Sequence, residues 1–419
     1  MALNLIMVFG GVIFAVLFAF LMFVFIIVMA SFFRKEKEMD HEPEVSVIIP
    51  CYNEEKNIKG CLDAVYSLDY PKSKIEVIVV DDGSTDNTLK ILKECRKKNS
   101  KIVILEGKHE GKSASLNMGV KKAKKGIIFT IDADTEVDNG SLKKLVRPFA
   151  RPDVGATNGS CIARNRHSML EVFQTVEYHY NNLIRKSFSI LFRNGIWFFG
   201  AFACYKKDVL KKIGYFKKDT MNEDMDVALE IYRGGYKTIN VYDALSYTLV
   251  PDTYLRFFRQ RVRWWAGVLQ ALHKNKGLFA RGSNASILFL FINQYWWSFY
   301  AIVSLPIIIY QIFYWLPYNM ADFSSLFMYL FRWFSFLGPL NVLYKIPEWG
   351  ISLYSIFGVL SGIISAILIV ISLYTFKDRL TIKNAIGVFF YFPYTIILNT
   401  ITLISLIKLI FLKKKHFSY

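Results

Sequence analysis

The chain begins without charge: no ionisable side chain lies between Leu3 and Phe33. Such a run exceeds the ~20 apolar residues that cross a bilayer. It also lacks the basic start and the short apolar core, ~7–15 residues, of a cleaved leader. A retained membrane span is expected there. Paired cysteines are missing too. Cys51, Cys61, Cys95, Cys161 and Cys204 form no C-x-x-C pair and all fall in the middle of the chain, which excludes a disulfide framework and a zinc finger and suits a reducing compartment. The six histidines are scattered without ligand spacing. There is no internal repeat, no low-complexity linker and no nucleic-acid motif. The P-loop is lacking as well: Gly111-Lys112-Ser113 would complete G-x-x-x-x-G-K-[ST] only with glycine at 106, where the chain has Glu106.

What is present is apolar and basic at once. Of 419 residues, 53% are hydrophobic and 16% aromatic, yet the net charge is +18. The two fit together if membrane segments carry the first and a water-exposed domain the second. A positive excess without a nucleic-acid motif points to a lipid surface or a phosphorylated substrate. Arg34, Lys35 and Lys37 follow the first apolar run and nothing basic precedes it. The positive-inside tendency then puts the N-terminus outside and the next domain in the cytosol.

From Glu44 the hydrophobic period shortens. Buried-strand patterns over 45–50, 75–80, 102–105 and 127–131 alternate with helical ones over 53–68, 85–98 and 113–122. This is the spacing of βαβ units, so an α/β, mostly parallel sheet is expected. Further helices are expected near 142–149, over 168–186 and over 223–232. Strands are expected near 154–161, 197–204 and 237–242. An amphipathic stretch rich in arginine and aromatics, 253–276, suits the membrane interface. Apolar spans follow at 287–315, 351–376 and 385–412. The apolar stretch 323–343 carries Arg332 at its centre, which is costly in a lipid-facing helix, so it is read as interfacial or re-entrant. The domain plan is a transmembrane helix (1–34), a cytosolic α/β domain (43–252), interfacial helices (253–283), a membrane region (284–412) and a basic tail (413–419).

Chemistry gathers at strand ends, where open α/β sheets bind ligands. Asp132-Ala133-Asp134 closes one strand and Asp81-Asp82-Gly83-Ser84 another. Paired carboxylates there can hold a hard divalent cation, which in turn can neutralise a diphosphate; Asp-x-Asp is also a common polar turn. Ser84 is expected to cap the following helix. Lys112 opens a helix, where it can meet a phosphate or remain a solvated lysine. Asn222-Glu223-Asp224-Met225-Asp226 sets three acids in a helical first turn, with Asn222 as its cap. They can serve the helix dipole, or one can act as general base on an acceptor hydroxyl. In Gln260-Arg261-Val262-Arg263-Trp264 the tryptophan offers a stacking face for a sugar and arginine a fork for a diphosphate.

Together these strings resemble the membrane-bound, inverting family 2 glycosyltransferases, the group of cellulose, chitin, hyaluronan and poly-N-acetylglucosamine synthases. The resemblance runs from about residue 44 to 277. Pro50-Cys51-Tyr52-Asn53-Glu54-Glu55 is similar to the family's P-x-Y-N-E stretch, which lies against the nucleotide base. Asp81-Asp82-Gly83-Ser84 is similar to its nucleotide-binding acidic loop. Lys112 with Leu116-Asn117 resembles G-K-x-x-A-L-N, with Ser115 in place of alanine. Asp132-Ala133-Asp134 matches D-x-D. Phe198-Phe199-Gly200-Ala201 resembles the acceptor-end motif, Asn222-Glu223-Asp224 matches T-E-D except at its first position, and Gln260 to Trp264 fits Q-x-x-R-W.

The resemblance implies a GT-A, Rossmann-like domain joined to transmembrane helices at the plasma membrane. It implies a nucleotide-diphosphate sugar donor, UDP-linked in most of the group. The donor would be bound by Tyr52, Glu54, Asp82, Lys112, Asp132, Gln260, Arg263 and Trp264, and Mg²⁺ or Mn²⁺ by Asp132 and Asp134. Phe199, Gly200 and Trp264 would meet the acceptor. Asp224 would be the base, with Glu223 beside it in the catalytic group. The product would be a polysaccharide leaving through the membrane spans. The alternative is a polyprenyl-phosphate glycosyltransferase that adds one sugar to a lipid carrier. Partners are then the donor, a glycan or lipid-linked acceptor and membrane lipid, but no nucleic acid; an accessory subunit is compatible with either reading.

Overall fold

The computed structural model describes residues 2–34, 40–98, 101–280, 284–314, 316, 322–335, 337–378 and 381–411. Lys35, Lys37 and the basic tail 413–419 lie outside the described residues. After the first helix, α1 (Ala2–Phe32), strands and helices alternate. They run β1 (Val45–Cys51), α2 (Ile58–Ser67), β2 (Ile75–Asp81), α3 (Thr88–Lys98), β3 (Ile102–Glu106), α4 (Lys112–Lys122) and β4 (Ile127–Ile131). Then come β5 (Thr135–Val137), α5 (Ser141–Val146), β6 (Val154–Ala163), α6 (Met169–Phe192), β7 (Phe202–Lys206), α7 (Lys207–Ile213), α8 (Glu223–Arg233) and β8 (Lys237–Thr248).

The eight strands form one sheet in the order β3-β2-β1-β4-β7-β6-β8-β5. β3, β2, β1 and β4 are parallel neighbours, as are β6 and β8, while β7 and β5 pair antiparallel. The continuous apolar runs of the first strands follow from burial on both faces. Val47, Ile49, Val79 and Phe129 pack on one side; Ile48, Ile78, Val80 and Ile128 pack on the other. From β1 the chain winds outward to β2 and β3, then returns across to β4. That reversal opens a crevice at the carboxyl ends of β1 and β4, the switch point of an open α/β sheet.

Several local expectations need correction. The strand expected over 197–204 begins at Phe202, because the preceding segment turns: Trp197 has φ of 43°. Ser84 does not cap the next helix. α3 begins at Thr88, whose N–H is taken by Asp86 at 2.9 Å, and Ser84 Oγ accepts the Asn53 N–H at 2.9 Å instead. β8 extends to Thr248 because its second half pairs with both β6 and β5.

The remaining helices are α9 (Tyr254–Lys274), α10 (Gly277–Ala280), α11 (Ala285–Tyr314), α12 (Phe323–Phe334), α13 (Gly338–Trp349), α14 (Leu353–Thr375), α15 (Ile382–Phe389) and α16 (Tyr391–Phe411). Among the described residues four helices are long and apolar enough to cross a membrane, over Val8–Phe32, Ala285–Tyr310, Ser355–Thr375 and Tyr391–Phe411. α1 lays Leu17, Leu21, Val24 and Val28 against Leu183, Ile184 and Phe188 of α6 and Leu368 of α14, so the membrane part is built directly onto the sheet domain. The stretch around Arg332 forms two 12-residue helices, α12 and α13, broken near Ser335. Each is about 18 Å long, short of the ~30 Å hydrocarbon layer. The span expected over 385–412 is divided at Phe390. Pro393 sits in the first turn of α16, where its missing N–H costs nothing, whereas within a continuous helix it would break the ladder.

Candidate functional site

The crevice is lined by acids and one lysine that come from the end of β4 and the first turns of α4 and α8. Asp132 and Asp134 follow β4. Gly111, with φ of 91°, turns the chain into α4. Lys112, the first residue of that helix, points its Nζ at Asp132 Oδ1 (2.6 Å) and Glu223 Oε1 (3.4 Å), bridging the end of β4 to the start of α8. Burial works against its charge, yet Asp132 and Glu223 outweigh it and hold the ammonium well above the ordinary lysine range.

Asp82, expected to meet the nucleotide, also organises the chain around it. Its two oxygens accept the backbone N–H groups of Glu110 (3.0 Å) and Gly111 (2.8 Å). It thus fastens the loop that presents Lys112. Tyr52 stacks on His109 of the same loop with ring centroids 4.1 Å apart. Glu54 accepts from Asn57 Nδ2 at 2.8 Å, and burial raises its pKa.

Asp132 and Asp134 fit a divalent cation. Burial first, then the charges of Asp132 and Glu54, push the Asp134 carboxyl up to about 6; a bound cation would relieve that crowding of negative charge. Among the described residues no group of three His, Cys, Asp or Glu side chains converges as a metal cage. The two carboxylates would therefore supply part of a shell, leaving the rest to phosphate and water oxygens, as suits Mg²⁺-type ions.

Asp224 faces the same crevice from the first turn of α8. Its Oδ2 accepts the Gly200 N–H at 2.8 Å and its Oδ1 the Met225 N–H at 2.7 Å. Burial, then the neighbouring Glu223, pushes its carboxyl up to about 6. A Cβ at position 200 would stand 2.6 Å from the Asp224 Cβ, so only glycine permits this approach. Phe199, next to it, lies under the Arg185 guanidinium at 4.2 Å. Asp226 points elsewhere and is tied to Lys274 (2.7 Å) and Asn275 (3.3 Å) at the end of α9. Asn222 stands at the cap position of α8 but its side chain does not cap. Its Nδ2 instead donates to the Trp264 carbonyl at 3.3 Å, because α9 comes close there: a Cβ on Gly267 would lie 2.9 Å from Asn222.

Gln260, Arg263 and Trp264 reach the crevice from α9. All three line a cavity of about 1140 Å³ that also meets Lys112, Asp132, Asp134, Glu223, Asp224 and Phe199. The same cavity continues between the membrane helices past Asn341, Ser352, Ser361, Asn399 and Thr402. Tyr52, Glu54, Asp82 and Gly200 do not line it. Two further lining residues are not singled out by the sequence. Arg261, within the Gln260–Trp264 string, is buried and stacks on Trp264 at 4.4 Å, and Glu177 of α6 meets it at 3.1 Å. The extra arginine within the string is the only signal for the first; nothing marks Glu177.

Residues 46–214 match the model of glycosyl transferase family 2. This part of the chain is a family 2 glycosyl transferase domain. Asp224 and the Gln260–Trp264 string lie beyond the matched residues. A poly-beta-1,6-N-acetyl-D-glucosamine synthase of Staphylococcus epidermidis is 34% identical over 254 residues, 60% of this chain and 60% of that protein. A synthase of the same name from Staphylococcus aureus (strain COL) is 31% identical over 56% of this chain and 57% of its own. The chain thus spans about three fifths of the length of these relatives. Among solved structures, a mannosyltransferase from Pyrobaculum calidifontis in complex with GDP-Man and Mn²⁺ superposes with a TM-score of 0.61 at 21% identity, covering 97% of this chain and 100% of that one. That likeness is one of fold, the GT-A sheet with its attached helices.

Proposed function

We propose that the family 2 domain and its membrane helices together form an inverting polysaccharide synthase. It adds sugar from a nucleotide-diphosphate donor to a growing glycan and passes the product into the membrane part. The observation that carries this reading is the cavity that joins Lys112, Asp132, Asp134 and Asp224 to a path between the membrane helices, largely apolar but with Asn341, Ser361, Asn399 and Thr402 along it. The similarity to two poly-beta-1,6-N-acetyl-D-glucosamine synthases supports N-acetylglucosamine as the sugar and UDP as its carrier. The basic residue Arg34 after α1, together with Lys35 and Lys37 in the sequence, supports a cytosolic catalytic domain at the plasma membrane.

In this mechanism Asp224 takes the proton of the acceptor hydroxyl. The freed oxygen attacks the anomeric carbon, the bond to the diphosphate breaks, and the centre inverts. Gly200 holds the Asp224 carboxylate in place. Lys112 and Arg263 face the charge that develops on the departing diphosphate, the interaction that contributes most in such a site. Asp132 and Asp134 would hold Mg²⁺ or Mn²⁺, which supplies Lewis-acid neutralisation of the diphosphate when bound. Trp264 offers its ring to the acceptor sugar.

The test is to supply purified full-length protein in lipid vesicles with UDP-N-acetylglucosamine and either ion, then follow nucleotide release and product length. Long products support the reading. Release with only one sugar on a lipid carrier would establish the polyprenyl-phosphate alternative instead, and no release with any of a panel of nucleotide sugars would overturn both.

A further inference from the structure

The aromatic platform of the site is held from beneath by a buried acid. Glu177 projects from α6 and Arg261 from α9, with an N–O separation of 3.1 Å; their side chains are 12% and 8% exposed. The same Glu177 oxygen accepts the hydroxyl of Tyr394, a fully buried residue of the membrane helix α16. A carboxylate so enclosed is tolerable only when paired and hydrogen-bonded, so the three groups hold one another. Arg261 spreads its planar guanidinium over the Trp264 ring (4.4 Å) and the Phe257 ring (5.1 Å). Trp264 in turn accepts Asn222 Nδ2 through its carbonyl, two residues before Asp224. Three elements therefore meet at Glu177, the long helix of the sheet domain, the interfacial helix and a membrane helix, and Arg261 carries that junction to Trp264.

We propose that Glu177 and Arg261 are positioning residues for the acceptor platform Trp264, and that Tyr394 couples that platform to α16. The platform's tilt, and with it the grip on the acceptor chain, depends on where the membrane helix sits. The inference rests on the reading that Trp264 meets a glycan acceptor. Lysine cannot replace Arg261 in this role, because an ammonium has no plane to lay over Trp264 while it reaches Glu177. The donor side stands apart: Lys112 is tied to Asp132 and Glu223 rather than to the trio.

The experiment compares full-length wild type with Glu177→Gln, Glu177→Asp, Arg261→Lys and Tyr394→Phe in the same vesicles. It measures product length, acceptor KM, donor KM and thermal stability. A displaced platform should raise the acceptor KM by about tenfold or more and shorten the product, with a clearly smaller change in donor KM. Glu177→Asp should recover part of the loss. Tyr394→Phe removes one hydroxyl and keeps the packing, so it decides the matter if Glu177→Gln does not fold. Wild-type acceptor KM and product length in Arg261→Lys and Tyr394→Phe would overturn the proposal. So would an equal loss of donor and acceptor binding that tracks thermal stability, since that is a scaffold's signature. If wild type itself adds only one sugar, the polymer reading fails separately, and the acceptor KM for that single transfer still tests the trio.

Discussion

The Gly200 amide donates to Asp224 Oδ2 at 2.8 Å, and the Asp224 Cβ leaves no room for a side chain at position 200. The turn before β7 thereby sets the direction of the acid that opens α8. Gly200→Ala should force the two segments apart and move the carboxylate. A misplacement on the order of 1 Å costs about 10²-fold in rate, so turnover should fall by about that much while nucleotide affinity stays within a few-fold. Binding and single-turnover measurements on the same preparation check this; unchanged turnover would mean that Asp224 does not depend on the turn.

The three acids of α8 should separate cleanly. Asp224→Asn keeps the shape but cannot take a proton, and loss of a positioned base costs about 10²–10⁴ in rate. Donor affinity should change little, because the base acts on the acceptor. Asp226→Asn should instead lower stability, since it leaves Lys274 short of its nearest carboxylate. Near wild-type turnover in Asp224→Asn with a dead Asp226→Asn, measured at saturating donor, would reverse the assignment.

Much of this arrangement is readable along the chain because it follows from burial on two faces. The runs ending at Asp81 and Asp132 are apolar at almost every position, as strands covered on both sides must be, and their acids stand out against that background. The resemblance of the strings from Tyr52 to Trp264 adds the roles. Pairwise geometry across elements is not readable. The use of Asp82 as a loop fastener depends on where Glu110 and Gly111 come to rest, and the use of Asn222 on the close approach of Gly267. Glu177 looks like any polar residue of an amphipathic helix; only the arrival of α9 and α16 gives it partners. Antiparallel β7, inserted between β4 and β6, is likewise a product of long-range pairing, which is why its first residue cannot be placed from the local pattern.

Asp134 should be a stability liability without a cation. Burial, then Asp132 and Glu54, push its carboxyl up to about 6 in the folded chain from the ordinary aspartate value of 3.8. Between those two values the folded form binds more protons than the unfolded one, so stability falls as pH rises through that window and stays low above it. In chelator at pH 7.5, Asp134→Asn should be more stable than wild type, by up to about 3 kcal/mol. The same variant should lose Mn²⁺-dependent turnover. Added Mn²⁺ should raise the melting temperature of wild type more than that of the variant. Full wild-type activity in excess chelator would remove the metal from this site.

The membrane count can be settled by labelling. Among the described residues four helices are long enough to cross, and α12 and α13 are each too short. With an outside N-terminus, four crossings return the end of the chain to the outside. A single cysteine placed after Leu412, in a variant lacking the native five, should then react with an impermeant reagent added to intact cells. Protection until the cells are opened would mean a fifth crossing through the stretch around Arg332.

The pH dependence of kcat/KM should report Asp224 and respond to its neighbour. The base must be ionised, and burial together with Glu223 raises its carboxyl to about 6. At saturating metal, kcat/KM should therefore fall by about tenfold per pH unit below that value. Lys112 adds no loss through the mildly alkaline range, because Asp132 and Glu223 keep its proton on despite burial. Glu223→Gln removes a negative charge beside Asp224, so it should move the acidic limb to lower pH. The opposing influence is the Gly200 N–H, which favours the ionised form; Gly200→Ala, by displacing that donor, should move the limb to higher pH. The two variants thus shift one titration in opposite directions. A limb that stays in place in both would show that the titrating group is not Asp224, and the base would have to be sought elsewhere in the crevice.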